Sequence, residues 1–226
     1  MLKTNCIIAL PLYKVIYSGI FVILFFLIRG LAYTEEIGPV LDSMMALLSI
    51  IFCADTYYQE TRGNCLEVFE LYDGKMKCRV MAQRLMFQYG FLLLLTAVGY
   101  GLFYLRGTWQ HTQQSNLRLF ADAMFACGIS ILFFGMCTFT VINLCRNLWT
   151  GIGICVVIWT LMTSTIAKKL PVWCNIFAYC LNIPDTEQLS YDWVGGKCMA
   201  LLLTIFMVLL NRKLIQERIW VKLWTK

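Results

Sequence analysis

The sequence predicts an all-α fold, that of a polytopic helical membrane protein. Six long apolar runs separated by short polar loops predict six transmembrane helices, because about 18 apolar residues suffice for a helix to cross a hydrocarbon core of about 30 Å. The composition supports this: of 226 residues, 60% are hydrophobic and 14% are charged, whereas a soluble domain carries about 25% charged residues. The rest of the chain is too small for a sizeable soluble domain.

The predicted spans cover residues 15–32, 39–54, 85–105, 123–145, 147–167 and 193–210, so residues 1–226 form a single transmembrane domain. The first run is predicted to be a retained helix rather than a cleaved signal peptide, because it leads through Arg29 into polar residues without a small-residue cleavage site. Asp42 and Lys197 lie near the ends of the second and sixth spans.

The distribution of Lys and Arg predicts the orientation. With a cytoplasmic N-terminus, most of these residues fall in the inner loops and in the tail from 211 to 226. Because positively charged loops stay cytoplasmic, both termini are expected to face the cytoplasm, and the protein is expected in the plasma membrane. The net charge of +6 then follows from topology and from attraction to anionic membrane lipid, and does not indicate nucleic-acid binding.

The chemistry of a metal site or a hydrolase is missing from the sequence. Eleven cysteines are scattered without a CxxC pair, and His111 is the only histidine, so no metal and no cofactor are expected in this chain. HExxH and GxSxG motifs are absent, and Gly195-Gly196-Lys197 lacks the flanking residues of a phosphate-binding loop. The chain is therefore not expected to be an enzyme. Cys174 and Cys180 could pair on the outer side, and the sequence leaves that disulfide open.

An uncharged segment at 170–184 follows the fifth span and is too short to cross the membrane comfortably. A seventh span would also place the basic tail outside, against the charge distribution. The prediction is an outer re-entrant or surface-lying helical segment. A hydrophobic outer loop packed on its neighbours is the alternative.

The longest polar stretch separates the second and third spans, and residues 57–80 predict an amphipathic cytoplasmic helix. Apolar side chains recur at three- and four-residue steps at Cys65, Val68, Phe69, Tyr72 and Met76, with polar ones between them at Asn64, Glu67, Glu70, Asp73 and Lys77. The turn signal Asp73-Gly74 is expected to end or break this helix. Because its polar face is mainly acidic, a protein partner is favoured over an anionic lipid surface, which is the alternative contact.

Polar residues inside the spans are the remaining candidates. Asp42 and Asp122 are expected at water-exposed helix starts, where the helix dipole favours a carboxylate, and a proton relay is the alternative. Thr160, Thr163 and Ser164, followed by Thr165, could line a substrate path in the fifth span. Hydrogen bonding within or between helices is the alternative for these hydroxyls.

Together these features resemble the membrane subunit of a type-2 ABC transporter, the permease of the ABC-2 family. The resemblance covers the whole chain as an order of elements, and its most local part is the acidic, Gly-containing stretch from Glu60 to Glu67. It implies a coupling helix that docks into a separate ATPase, which would carry ATP and Mg. It also implies a homodimer or a sister permease. The residues that would contact or position the ATPase are Glu60, Arg62, Gly63, Glu67, Phe69 and Glu70.

The function implied by this resemblance is that of an exporter. An ATP-driven permease would move a hydrophobic or amphipathic substrate (a peptide, a lipid or a drug) out of the cytoplasm by alternating access. A non-transporting membrane scaffold or immunity protein is the alternative. A secondary transporter ranks behind both, because the sequence shows no internal repeat and no charge clearly at mid-membrane.

Overall fold

The computed structural model describes residues 2–56, 72–110, 115–181 and 192–216. In these ranges the regular structure is helical, with a single isolated bridge between Tyr33 and Trp109. The all-α prediction is therefore confirmed for the described part of the chain.

The described helices are α1 (Leu2–Ala9), α2 (Leu12–Ile28), α3 (Ile37–Cys53), α4 (Gly74–Leu105), α5 (Asn116–Cys145), α6 (Leu148–Thr163), α7 (Ala178–Leu181) and α8 (Trp193–Gln216). Short 3-10 helices lie at Thr34–Glu36, Ala167–Lys169 and Val172–Cys174.

Four helical segments are long and apolar enough to cross a membrane: Thr34–Cys53, Gly74–Leu105, Asn116–Cys145 and Trp193–Ile215. They correspond to the predicted second, third, fourth and sixth spans, and they make this a helical membrane-embedded protein. The apolar helices α2 and α6 have 17 and 16 residues, which is roughly 25 Å at the α-helical rise. The first and fifth spans therefore stay predictions.

The helix α4 begins well before the predicted third span. Asp73 is extended, with φ −60° and ψ 148°, and the helix runs unbroken from Gly74 to Leu105. The predicted turn at Asp73-Gly74 is thus the start of α4, and its first residues include Lys75 and Arg79, which are good helix formers. Hydropathy predicted that the membrane-spanning part begins at residue 85. The helix itself begins 11 residues earlier, at Gly74, which adds roughly 16 Å to its length.

The centre of the bundle is α5, which packs along α3 and also contacts α4, α6 and α8. Each of the four long helices contains an apolar stretch of 18 residues. In Thr34–Cys53 and Asn116–Cys145, 67% and 78% of that stretch is buried inside the bundle, whereas in Gly74–Leu105 and Trp193–Ile215 the buried share is 28% each. The outer helices expose large apolar side chains, among them Ile20, Leu94, Leu202 and Phe206. A continuous apolar surface of this kind suits contact with lipid.

The predicted inner end of α3 is tied to its neighbours by polar contacts. The Lys14 ammonium, from α2, donates to the Phe52 carbonyl at 2.9 Å and bonds the Asp55 carboxylate. The Thr56 hydroxyl donates to Gln88 Oε1 of α4 at 2.8 Å. The chain therefore leaves α3 from a point fixed against both α2 and α4.

A second polar contact joins α5 to α8 at the same end, and we call it the amide cluster: Thr140, Asn143 and Asn211. Asn211 Nδ2 donates to Thr140 Oγ1 at 2.7 Å, and Asn143 Nδ2 donates to Asn211 Oδ1 at 3.1 Å. All three side chains are buried. Such contacts hold apolar helices together where the hydrophobic effect between them is weak.

Candidate functional site

A buried ion pair joins three helices near the predicted outer end of the bundle. Lys197 Nζ of α8 lies 2.6 Å from Asp42 Oδ2 of α3 and 2.7 Å from Ser130 Oγ of α5. Both charged side chains are 0% exposed. Ionisable groups inside a membrane-embedded bundle are costly and are functional candidates by default.

The burial of Asp42 corrects a sequence-based prediction. Asp42 was expected at a water-exposed helix start, which was wrong because the Lys197 ammonium, 155 positions later in the chain, neutralises it inside the bundle. Asp122 is half-buried near the start of α5.

Aromatic rings lie beside the pair. The ring of Phe177 lies 5.7 Å from Lys197 Nζ and stacks on Phe134, at 5.5 Å between centroids and 13° between planes. No described residue hydrogen-bonds Asp42 Oδ1, which is buried. The Asp42 and Lys197 charges are thus paired directly, with the Ser130 hydroxyl as a second partner of Lys197, in a buried site where both their attraction and their desolvation are large.

Glycine at the start of α8 lets the preceding segment, residues 172–177, come close to this pair. A Cβ on Gly196 would lie 2.1 Å from the Asn175 carbonyl oxygen. The backbone of residues 172–177 can therefore pack this closely on α8 only because residue 196 has no side chain. The buried Asn175 side chain donates to the Ala167 carbonyl at 3.2 Å and accepts from the Phe177 N–H at 2.9 Å. These contacts place the Phe177 ring beside Lys197.

The predicted outer segment 170–184 is described as far as residue 181. It consists of two short helical turns at Val172–Cys174 and Ala178–Leu181 that pack on α8 and α3. Ile176, Phe177 and Ala178 are buried, so this part of the segment packs against the helices. Cys174 and Cys180 are both free thiols, and Cys180 Sγ donates to the Pro39 carbonyl at 2.9 Å instead.

Phe177 also lines a cavity of about 430 Å³ between this segment, α3 and the end of α6. Arg29, Glu35 and Glu36 contribute charged groups to its wall. Pro39 and Ser43, which flank Asp42 on α3, line it as well. The cavity and the ion pair are therefore neighbours, since Phe177 lines the cavity and also lies beside Lys197.

The proposed path residues divide between this cavity and the surface. Thr163 and Ser164 line the cavity, whereas Thr160 does not. Their hydroxyls hydrogen-bond the backbone of their own helix, Thr160 to the Val156 carbonyl at 2.8 Å and Ser164 to the Leu161 carbonyl at 2.8 Å. A role for these residues in a substrate path stays a prediction.

The predicted coupling residues Glu60, Arg62, Gly63, Glu67, Phe69 and Glu70 lie outside the described residues. The structure describes both flanks of that stretch, the fixed end of α3 and the start of α4 at Gly74. In the described ranges no three His, Cys, Asp or Glu side chains come together as possible metal ligands.

No protein-family model, no curated protein and no solved structure matches this chain. The fold and the site define a class, that of a helical membrane-embedded protein with a buried ion pair. Function has to be argued from that geometry.

Proposed function

We propose that this chain is the permease subunit of an ATP-driven ABC exporter. Six spans would place both termini on the cytoplasmic side of the plasma membrane. A separate ATPase would dock on residues 57–71 and drive alternating access for a hydrophobic or amphipathic substrate (a peptide, a lipid or a drug). One observation carries the proposal: α3 leads directly into the predicted coupling stretch and carries Asp42 near its other end.

The contacts of α3 would allow it to transmit movement from one end of the bundle to the other. Its last turn is fixed by Lys14 and Thr56, and fully buried residues such as Leu41 and Ile50 hold its length inside the bundle. Packed helices move as rigid bodies rather than bending continuously. A push on the end of α3 would therefore reach Asp42, roughly 17 Å along the helix from Cys53, and the cavity beside it.

The order of elements supports the same proposal. The short helix α1 packs on α4, where Asn5 Nδ2 donates to Gln83 Oε1 at 2.9 Å. Two helices, a polar stretch, three helices, an inserted short-helix segment and a last helix then follow, in the order that the resemblance implies. The proposal includes α2 and α6 as spans and 170–184 as a re-entrant segment.

In this proposal the Asp42–Lys197 pair holds the outer end closed. It ties α3 to α8, and Ser130 adds α5. Outward opening would separate these helices, and the exposed charges would then be solvated in a water-filled path. The desolvation that opposes the pair when it is closed would be relieved on opening, which makes two states of similar free energy accessible.

A gradient-driven transporter is the second candidate function, and the ion pair is the observation that favours it. Ionisable residues buried in membrane helices mark ion and proton paths in transporters, and Asp42 and Lys197 are both fully buried. This candidate needs no ATPase partner.

The test is to purify the tagged full chain gently from its native membranes and identify the proteins that accompany it by mass spectrometry. The double variant Glu67→Arg, Glu70→Arg reverses the acidic face of the predicted coupling helix. The matched control, Asp185→Arg with Glu187→Arg, makes the same charge change in the predicted outer loop.

We expect an ABC ATPase with the wild type and the control, and its loss with the coupling variant at unchanged insertion. An ATPase retained by the coupling variant would contradict the docking site. No ATPase with any of the three would overturn the permease and leave the second candidate. A different partner would favour the scaffold or immunity protein.

A further inference from the structure

A second cavity, separate from the outer one, lies on the lipid-facing side of the bundle. It is a groove of about 340 Å³ between α4, α5 and α8, with walls that are almost entirely apolar. Leu85, Ile131, Phe139 and Val208 are among the residues that line it. Met86 on its edge is 73% exposed, so the groove opens at the surface of the bundle.

The length of the groove matches one leaflet of a bilayer. Along α4 it extends from Cys78 to Tyr89, a rise of roughly 16 Å at the α-helical step. A hydrocarbon core of about 30 Å gives each leaflet about 15 Å. The groove therefore has the length that one acyl chain occupies in a single leaflet.

The groove ends at a basic mouth. Arg212 of α8 lines it there, and the contact of Cys78 Sγ with the Arg212 carbonyl, at 3.9 Å, sets the end of α8 beside the start of α4. On α4, Lys75 and Arg79 are exposed, and Arg79 lies one turn before Ala82, which lines the groove. Positive charge is thus concentrated at the end of the groove nearest the predicted cytoplasmic face.

We propose that this groove binds an anionic phospholipid from the leaflet at the predicted inner end. One acyl chain lies along the apolar walls, and the phosphate contacts Arg212 and Arg79. A second copy of this chain is disfavoured as the occupant, because two copies would bring their basic mouths together. The proposal goes beyond the proposed function and does not depend on an ATPase.

A lipid in this groove would link two helices near the predicted coupling stretch. It bridges the first turns of α4 to the last turns of α8, directly after the predicted coupling stretch. Charge at the mouth supplies specificity for an anionic head group, and the apolar walls supply affinity for the chain.

The test is native mass spectrometry of the delipidated full chain titrated with phosphatidylglycerol or with phosphatidylcholine. The mouth variant is Arg79→Gln with Arg212→Gln. The matched control, Arg118→Gln with Lys169→Gln, removes two positive charges at the predicted outer end. A third variant, Ala82→Trp, fills the groove and leaves the charges in place.

We expect wild type and control to prefer phosphatidylglycerol. The mouth variant should lose that preference with a roughly thirtyfold weaker affinity, since each basic residue contributes about a fivefold factor. Ala82→Trp should weaken binding of the same lipid without changing melting temperature. Equal phosphatidylglycerol binding in all four proteins, or a wild type that prefers phosphatidylcholine, would overturn the proposal. A dimer that dissociates on the Ala82→Trp substitution would also overturn the proposal, because a second copy of the chain would then occupy the groove.

Discussion

Replacing Lys197 with Met would leave the Asp42 carboxylate in the bundle interior without a bonded oxygen. Oδ1 has no hydrogen-bond partner among the described residues, and Oδ2 would lose its 2.6 Å contact with the ammonium. Removing one partner of a buried ion pair costs about 3–5 kcal/mol. In a chain of this size, each kcal/mol lowers the melting temperature by about 2–4 °C, so we expect a fall on the order of 10 °C.

The assay is thermal unfolding in detergent, followed by near-UV circular dichroism. Asp42→Asn with Lys197→Met removes both charges, and this double variant should recover most of the loss because neither charge is then desolvated. Lys169→Met, at an exposed lysine, controls for the substitution and should change stability by less than about 0.5 kcal/mol. Additive losses in the double variant would refute the reasoning, because independent sites add and coupled ones do not.

Two further predictions concern helix contacts, and both are measured as melting temperatures in the same detergent. Gly196→Ala should destabilise the protein by about 1–3 kcal/mol through overlap with a backbone carbonyl 2.1 Å away. Gly153→Ala, where a Cβ meets nothing within 4 Å, should be neutral or slightly stabilising; similar effects for the two glycines would contradict the close approach. Asn211→Leu should cost about 1 kcal/mol, because hydrogen bonds between membrane helices are individually modest. A loss as large as that of Lys197→Met would contradict this modest contribution of the amide cluster.

Four apolar helices could be predicted from the sequence because length and hydropathy are local properties. The start of α4 could not be placed from hydropathy, since Gly74–Leu105 continues as a helix through basic residues outside the apolar run. The lengths of α2 and α6 depend on where the chain turns, as at Ser164, which is extended with ψ 170° and ends α6.

The ion pair was out of reach for a different reason. Asp42 and Lys197 each lie near the end of a span, where a single charge is tolerated by contact with water. Only packing of α3 and α8 on α5 brings them together, and nothing in either local sequence specifies that contact. One feature of the sequence could have indicated the pair: Lys197 lies inside an otherwise apolar span, and a lysine that is buried there requires a counter-charge. The requirement for glycine at position 196 likewise could not be predicted, because it depends on the Asn175 carbonyl that packs against it in the folded chain.

We propose that movement at residues 57–71 travels through α3 to the ion pair and the outer cavity. Hydrogen–deuterium exchange of the co-purified complex, with and without a non-hydrolysable ATP analogue and Mg, tests it most directly. We predict that nucleotide changes exchange in the first turns of α3 and in residues 172–181, and that the same addition to the Glu67→Arg, Glu70→Arg protein changes neither. A nucleotide effect confined to the start of α4, with no change around Asp42, would contradict the account.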